Sequence, residues 1–143
     1  MHCPFCSHSD TYVLESRAVQ DSLRRRRECE KCSQRFTTYE KAVFRLLVQK
    51  KDGREEPFQF EKVKSSLLKA CGKADEYVID ELARKVEQKI LLKHHNHVKT
   101  TEIGKLVLRE LKRFDKMAYL RFASIHKAIE DPKMLEKELL VVA

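Results

Sequence analysis

Two Cys-x-x-Cys pairs, Cys3-Pro4-Phe5-Cys6 and Cys29-Glu30-Lys31-Cys32, stand 22 residues apart near the start of this 143-residue chain. Each pair sets two thiols on one tight turn, and two such turns can close a tetrahedral zinc site. Four sulfur ligands leave no open coordination position, so the implied role is structural and not catalytic. Disulfides are the competing use of cysteine. The opening MHCPFCSHSD has no apolar secretory core, and a reducing compartment disfavours disulfides. Redox work by one Cys-x-x-Cys leaves the second pair unexplained. The spacing therefore predicts one structural Zn²⁺ per chain, held by Cys3, Cys6, Cys29 and Cys32, with His2 and His8 as bystanders. Cys71, the fifth cysteine, lies among apolar neighbours and reads as a core side chain.

A staple is what this part of the chain needs. Up to about residue 45 it is short on leucine and rich in Cys, Arg, Ser and Thr, too little to bury a large core. Its β-like pieces are Tyr12 to Leu14, Arg24 to Cys29 and Phe36 to Tyr39. The remainder can build its own core. An apolar run from Val43 to Val48 leads into Lys50-Lys51-Asp52-Gly53, a hairpin turn signal, and Pro57-Phe58 ends the return strand. Helical spacing follows in Phe60, Val63, Leu67, Leu68 and Cys71, stopped by Gly72. A second helix from about Glu76 carries Val78, Ile79, Leu82, Ala83, Val86 and Ile90. The stretch Lys93 to Lys99, with His94, His95 and His97, reads as a solvated loop. Thr100 or Thr101 caps a third helix burying Ile103, Leu106, Val107 and Leu111. A fourth carries Ala118, Tyr119, Phe122, Ala123, Ile125 and Ile129, and Asp131-Pro132 starts a fifth.

Charge points to a polyanionic partner, since 30 Lys and Arg face 22 Asp and Glu, a balance of +8. No stretch is apolar enough to span a membrane, and no membrane partner is expected. Net charge by itself says little about the cysteine-rich segment. Residues 1–46 hold nine basic and six acidic side chains, or +3, and a Zn(Cys)₄ centre adds −2. Local arrangement says more. Arg24-Arg25-Arg26-Arg27 lies in a strand-like piece, so alternate guanidiniums point to opposite faces. One pair can meet phosphates or guanine edges while the other braces the module. Arg17, Lys31, Arg35 and Lys41 can extend that surface; a solvated basic face, or pairing with Glu15, Glu28 and Glu30, is the plainer alternative.

Lys50 and Lys51 at a hairpin tip, with Lys62 near a helix start, can converge on a triphosphate. A solvated hairpin tip explains the same residues. No Gly-x4-Gly-Lys-Ser/Thr loop, catalytic carboxylate pair or nucleophile–base set is present, so a bound nucleotide would be sensed and not hydrolysed. A redox or hydrolytic enzyme, and a zinc-ribbon assembly module binding protein or RNA, are the competing readings.

The run Met1-His2-Cys3-Pro4-Phe5-Cys6, Arg24 to Cys29, Cys32 and Arg35-Phe36-Thr37-Thr38-Tyr39-Glu40 resembles the NrdR family, bacterial repressors of ribonucleotide reductase genes. Val48, Lys50, Lys51, Asp52-Gly53, Glu56-Pro57-Phe58 and Lys62 resemble the opening motif of an ATP-cone. Lys99-Thr100 and Asp115-Lys116 through Tyr119 to Ser124 also match. Ser7 stands where glycine is common, and Lys51 where arginine is common. The likeness covers essentially the whole chain.

The resemblance implies an α+β chain: a β zinc ribbon followed by a mostly helical ATP-cone with a short hairpin. Residues 1–45 would bind DNA, 46–137 would sense nucleotide and 138–143 would form a C-terminal tail. ATP and dATP are the implied regulatory ligands, with Lys50, Lys51 and Lys62 at the phosphates. Val48 and Glu56 would lie nearer the nucleoside, and Thr100 would help to shape the site. The implied partner is a double-stranded operator with paired half-sites, contacted by Arg17, Arg24, Arg25, Arg26, Arg27 and Arg35. The protein would be a homo-oligomeric, cytoplasmic, nucleoid-associated repressor with no enzymatic activity.

Overall fold

The computed structural model describes residues 1–93 and 95–143. His94, placed by the sequence in a polar loop, lies outside the described residues. The chain divides into two compact units, Met1–Phe44 and Arg45–Ala143.

In the first unit, β1 (Thr11–Val19), β2 (Ser22–Cys29) and β3 (Arg35–Lys41) form an antiparallel sheet in that order. All three strands outrun the short pieces read from the sequence, because exposed or half-buried side chains on both faces leave no apolar stripe to mark their ends. A bulge between Val13 and Glu15 shifts the register of β1, so Arg26 faces Glu15 and Glu28 faces Tyr12. The only buried apolar side chains of this unit among the described residues are Cys3 and Cys29. Hydrophobic burial cannot hold such a sheet together, and the cysteine turns must.

The second unit has a real core. Strands β4 (Leu47–Gln49) and β5 (Glu55–Pro57) form the expected hairpin, with Gly53 in the left-handed region at φ 88°. A third strand, β6 (His97–Lys99), joins β4 in parallel, pairing Val48 with Val98. The sequence reading placed these residues in a loop. Three residues with one apolar position carry no readable period, and their partner lies some fifty positions earlier.

Helices α1 (Phe60–Cys71), α2 (Glu76–Leu91), α3 (Thr100–Phe114), α4 (Lys116–His126) and α5 (Pro132–Val142) complete the unit. Leu67, Ile79, Val86 and Leu111 are among its most buried side chains. Asp75, Asp115 and Asp131 cap α2, α4 and α5 by accepting from the N–H two residues on. The third helix differs from expectation. Its N-cap is Lys99, whose N–H donates to Glu102, and Thr100 is already helical, with its hydroxyl donating to the Gln49 carbonyl. Helix α4 ends before Ile129, and Ile125 in its last turn is exposed.

Residues 138–142, expected as a tail, continue α5. Glu138 accepts from the Tyr119 hydroxyl at 2.8 Å and from Lys127 at 2.6 Å, and Val142 is buried, so the segment is docked. No helix among the described residues is long and apolar enough to cross a membrane.

Candidate functional sites

The two cysteine turns are built alike. The Ser7 N–H donates to the Cys3 carbonyl at 2.9 Å, and the Ser33 N–H to the Cys29 carbonyl at 3.0 Å. Cys3 and Cys29 in turn donate their N–H groups to the carbonyls of His8 and Gln34. Both turns need a left-handed residue, and serine supplies it each time, Ser7 at φ 60° and Ser33 at φ 58°. Ser7 therefore keeps the turn that glycine would make.

These turns bring all four sulfurs within 4.8 Å of one another. Cys3 lies 3.7 Å from Cys32, and Cys6 lies 3.6 Å from Cys29. Metal–sulfur bonds of about 2.3 Å give a regular tetrahedron with edges of about 3.8 Å, so the donor set fits zinc. Packed this closely, the thiols do not ionise alike. The N–H groups of Cys32 and Lys31 draw the Cys29 thiol down to about 6 against the opposing effect of burial. For Cys32 the Gln34 N–H also lowers the value, but burial and the neighbouring thiols prevail and push it up to about 12. A dication is what lets four adjacent sulfurs share the thiolate form.

Strand pairing sorts the arginines. Arg24 faces Arg17 and Tyr39 across the sheet, Arg26 faces Glu15 and Thr37, and Arg35 faces Glu28. Arg17, Arg24, Arg26 and Arg35 therefore share one face. Two are engaged there: Arg17 with Glu15, and Arg35 with Glu28 at 2.7 Å. The Tyr12 hydroxyl, then Arg35, holds the Glu28 carboxyl below its ordinary value. Arg24 and Arg26 make no ion pair among the described residues. Arg25 and Arg27 point to the other face. There Arg25 pairs with Glu40 at 3.2 Å, and Arg27 reaches Thr11 while its Nε has no partner among the described residues.

A cavity of about 500 Å³ opens in the second unit between the hairpin, α1, α3 and α4. Five of the six residues expected near a nucleotide line it: Val48, Lys50, Glu56, Lys62 and Thr100. Glu56 holds both lysines, Lys62 at 2.8 Å and Lys50 at 3.1 Å, and their donation keeps its carboxyl below the ordinary value. Apolar walls come from Phe58, Ile103, Val107 and Phe122. Lys51 is the sixth. It lines an adjoining pocket of about 230 Å³ with Lys99, Thr100 and Thr101, and Lys50 and Thr100 border both spaces. Sequence reading missed Lys69, Gly104 and His126 on the cavity wall. They come from separate helices and share no motif.

Residues 1–40 match the family described as "Transcriptional repressor NrdR-like, N-terminal domain", and residues 46–132 match the ATP cone domain. The chain is 42% identical to the transcriptional repressor NrdR of Carboxydothermus hydrogenoformans, covering 97% of this chain and 94% of that one. It is 43% identical to the protein of the same name from Exiguobacterium sp., over 97% and 93% of the two chains. The Variovorax paradoxus repressor is also 43% identical, over 92% of each. All are regulators by name and not enzymes. With both units matched in order and nearly the full length shared, the chain belongs to the NrdR family of transcriptional repressors.

Proposed function

We propose that this repressor controls ribonucleotide reductase genes, and that ATP or dATP in the cone decides whether it holds its operator. The 500 Å³ cavity carries the reading: it joins the cationic Lys50 and Lys62 to apolar side chains in a space large enough for a nucleoside. Lys50 and Lys62 take phosphates, with Lys51 reaching them from the adjoining pocket; Val48 and Glu56 lie nearer the nucleoside, and Thr100 braces the hairpin. A polyanion must displace the Glu56 carboxylate from its lysines as it enters, which couples occupancy to the geometry of the hairpin.

One Zn²⁺ on Cys3, Cys6, Cys29 and Cys32 holds the ribbon and supplies no chemistry beyond that. The face bearing Arg24 and Arg26, flanked by Arg17 and Arg35, docks on duplex DNA, while Arg25 and Arg27 brace the sheet. Residues 1–45 thus serve DNA binding and residues 46–137 nucleotide sensing, in a cytoplasmic protein that joins the nucleoid on its operator. One ribbon offers little surface, so specific binding takes two ribbons on paired half-sites.

ATP and dATP differ by one 2′-hydroxyl. A ligand shifts states only through differential affinity, so this small difference is amplified through the homo-oligomer that the cones form. Native mass spectrometry and size exclusion of apo, ATP-loaded and dATP-loaded protein, each followed by operator binding, test the reading. It expects different assemblies and different operator affinities for the two nucleotides. Equal assembly and equal affinity would refute it.

A further inference from the structure

One ring on the cavity wall is placed at a cost to its neighbour. His126, the last residue of α4, lies along Phe122 with ring centroids 5.5 Å apart and planes 21° from parallel. Its other side rests on α3 at Gly104, where a methyl group would overlap the imidazole. Glycine inside a helix is destabilising relative to alanine. Helix α3 carries that cost at the point where the ring needs the space. The imidazole is thereby fixed between backbone and Phe122, half-buried, on the wall of the cavity.

The charges that reach it are all positive. Burial, then Lys51 from the hairpin, Lys127 after α4 and Lys105 from α3, hold its value below that of an ordinary histidine. Of the cavity's carboxylates, Glu56 is taken up by Lys50 and Lys62, and α1 adds Glu61 and Lys69 to the lining. Glu138 of α5 belongs to Lys127 and Tyr119. His126 makes no ion pair with a carboxylate among the described residues. The empty site therefore holds a proton on this ring less tightly than an ordinary histidine does. Two features nevertheless favour a cation there: the carbonyl end of α4, and any anion that neutralises the surrounding lysines.

Resting on the nucleotide reading of this cavity, we propose that His126 is a proton-coupled phosphate contact: a triphosphate enters together with a proton from solvent, which converts the imidazole into a charged donor. The lysines that suppress protonation of the empty site are the groups a polyanion neutralises, so the ligand removes the obstacle to its own extra contact. By linkage, triphosphate binding strengthens as pH falls towards the free-site value.

Calorimetry on the full-length, zinc-loaded protein tests this, in two buffers of different ionisation enthalpy, from about pH 6 to about pH 8. ATP, inorganic triphosphate and adenosine are titrated into wild type and His126→Gln. The expected result is uptake of up to about one proton per ATP or triphosphate in wild type. Affinity in wild type should also fall more steeply with rising pH than in His126→Gln, by up to about tenfold per pH unit. The terminal phosphate of ATP titrates against both proteins and cancels in the comparison. Adenosine should take up no proton. Matching pH trends and proton counts in the two proteins would overturn the proposal while leaving the nucleotide reading in place. Proton uptake with adenosine but not with triphosphate would overturn it too, by moving the contact to the nucleoside. No ATP binding by wild type at any pH would remove both readings. If His126→Gln does not fold, the ring resonances of wild-type His126 suffice. Their titration midpoint should rise when triphosphate is added, and an unchanged midpoint overturns the proposal.

Discussion

Ser7 and Ser33 sit in a backbone conformation that costs a residue with a Cβ about 1–2 kcal/mol. Replacing Ser7 by glycine removes that strain but gives the unfolded chain more freedom, leaving a net gain of about 0.5–1 kcal/mol. Chelator competition should show tighter zinc retention in Ser7→Gly, and a looser site would contradict the strain argument. Cys29 is the opposite case. It is buried, and in the zinc reading its loss removes a ligand from a centre that contributes on the order of 10 kcal/mol of folding free energy. Cys29→Ser should lose zinc by elemental analysis and unfold the sheet, while helical circular dichroism from the second unit persists. The arginines separate by face. Arg24→Ala should weaken all duplexes and lower the salt-dependence slope by about one, as expected for a phosphate contact. Arg25→Ala, whose guanidinium is already held by Glu40, should move that slope much less. Equal slopes for the two variants would place the DNA face elsewhere.

At the scale of elements, two contacts decide how the helices of the second unit lock. Lys89 of α2 pairs with Glu110 of α3, which is only 6% exposed. Lys89→Met strands that carboxylate and should cost about 3 kcal/mol, read as a lowered denaturant midpoint at unchanged slope. Glu138 fastens α5 to α4. Lys127, then Tyr119, keeps its carboxyl below the ordinary value. A lowered value in the folded state means the contact stabilises above the usual carboxylate range and is lost as pH falls through the folded value. Acidification should therefore raise amide exchange in α5 before the core helices open. Uniform exchange across all five helices would show that α5 is not separately held.

For the whole molecule, one unit held by its cysteine turns and the other by its own apolar core should unfold in two steps, not one. Zinc removal should abolish the first step and leave the second unchanged in calorimetry. A single transition that tracks zinc throughout would show that the helical unit depends on the ribbon.

Much of this was legible in the chain itself. Two Cys-x-x-Cys pairs on turns define a four-sulfur site, and the three- and four-residue spacing of Leu67, Ile79, Val86 and Leu111 with their neighbours marks helices that pack together. These signals are local, so they survive in one dimension. Strand β6, the Thr100 contact with Gln49 and the docking of residues 138–142 left no such trace, because their partners lie far away in sequence. The arginine run showed that alternate side chains diverge. Only the register with β1 and β3, bulge included, decided that Arg25 meets Glu40 while Arg24 and Arg26, beside Arg17 and Arg35, make no ion pair among the described residues. The hairpin lysines likewise announced a cationic tip, but the cavity needs α1, α3 and α4 to close around it. His126 comes to rest over Gly104, 22 positions earlier, because helix packing, not spacing along the chain, sets which side chains share a wall.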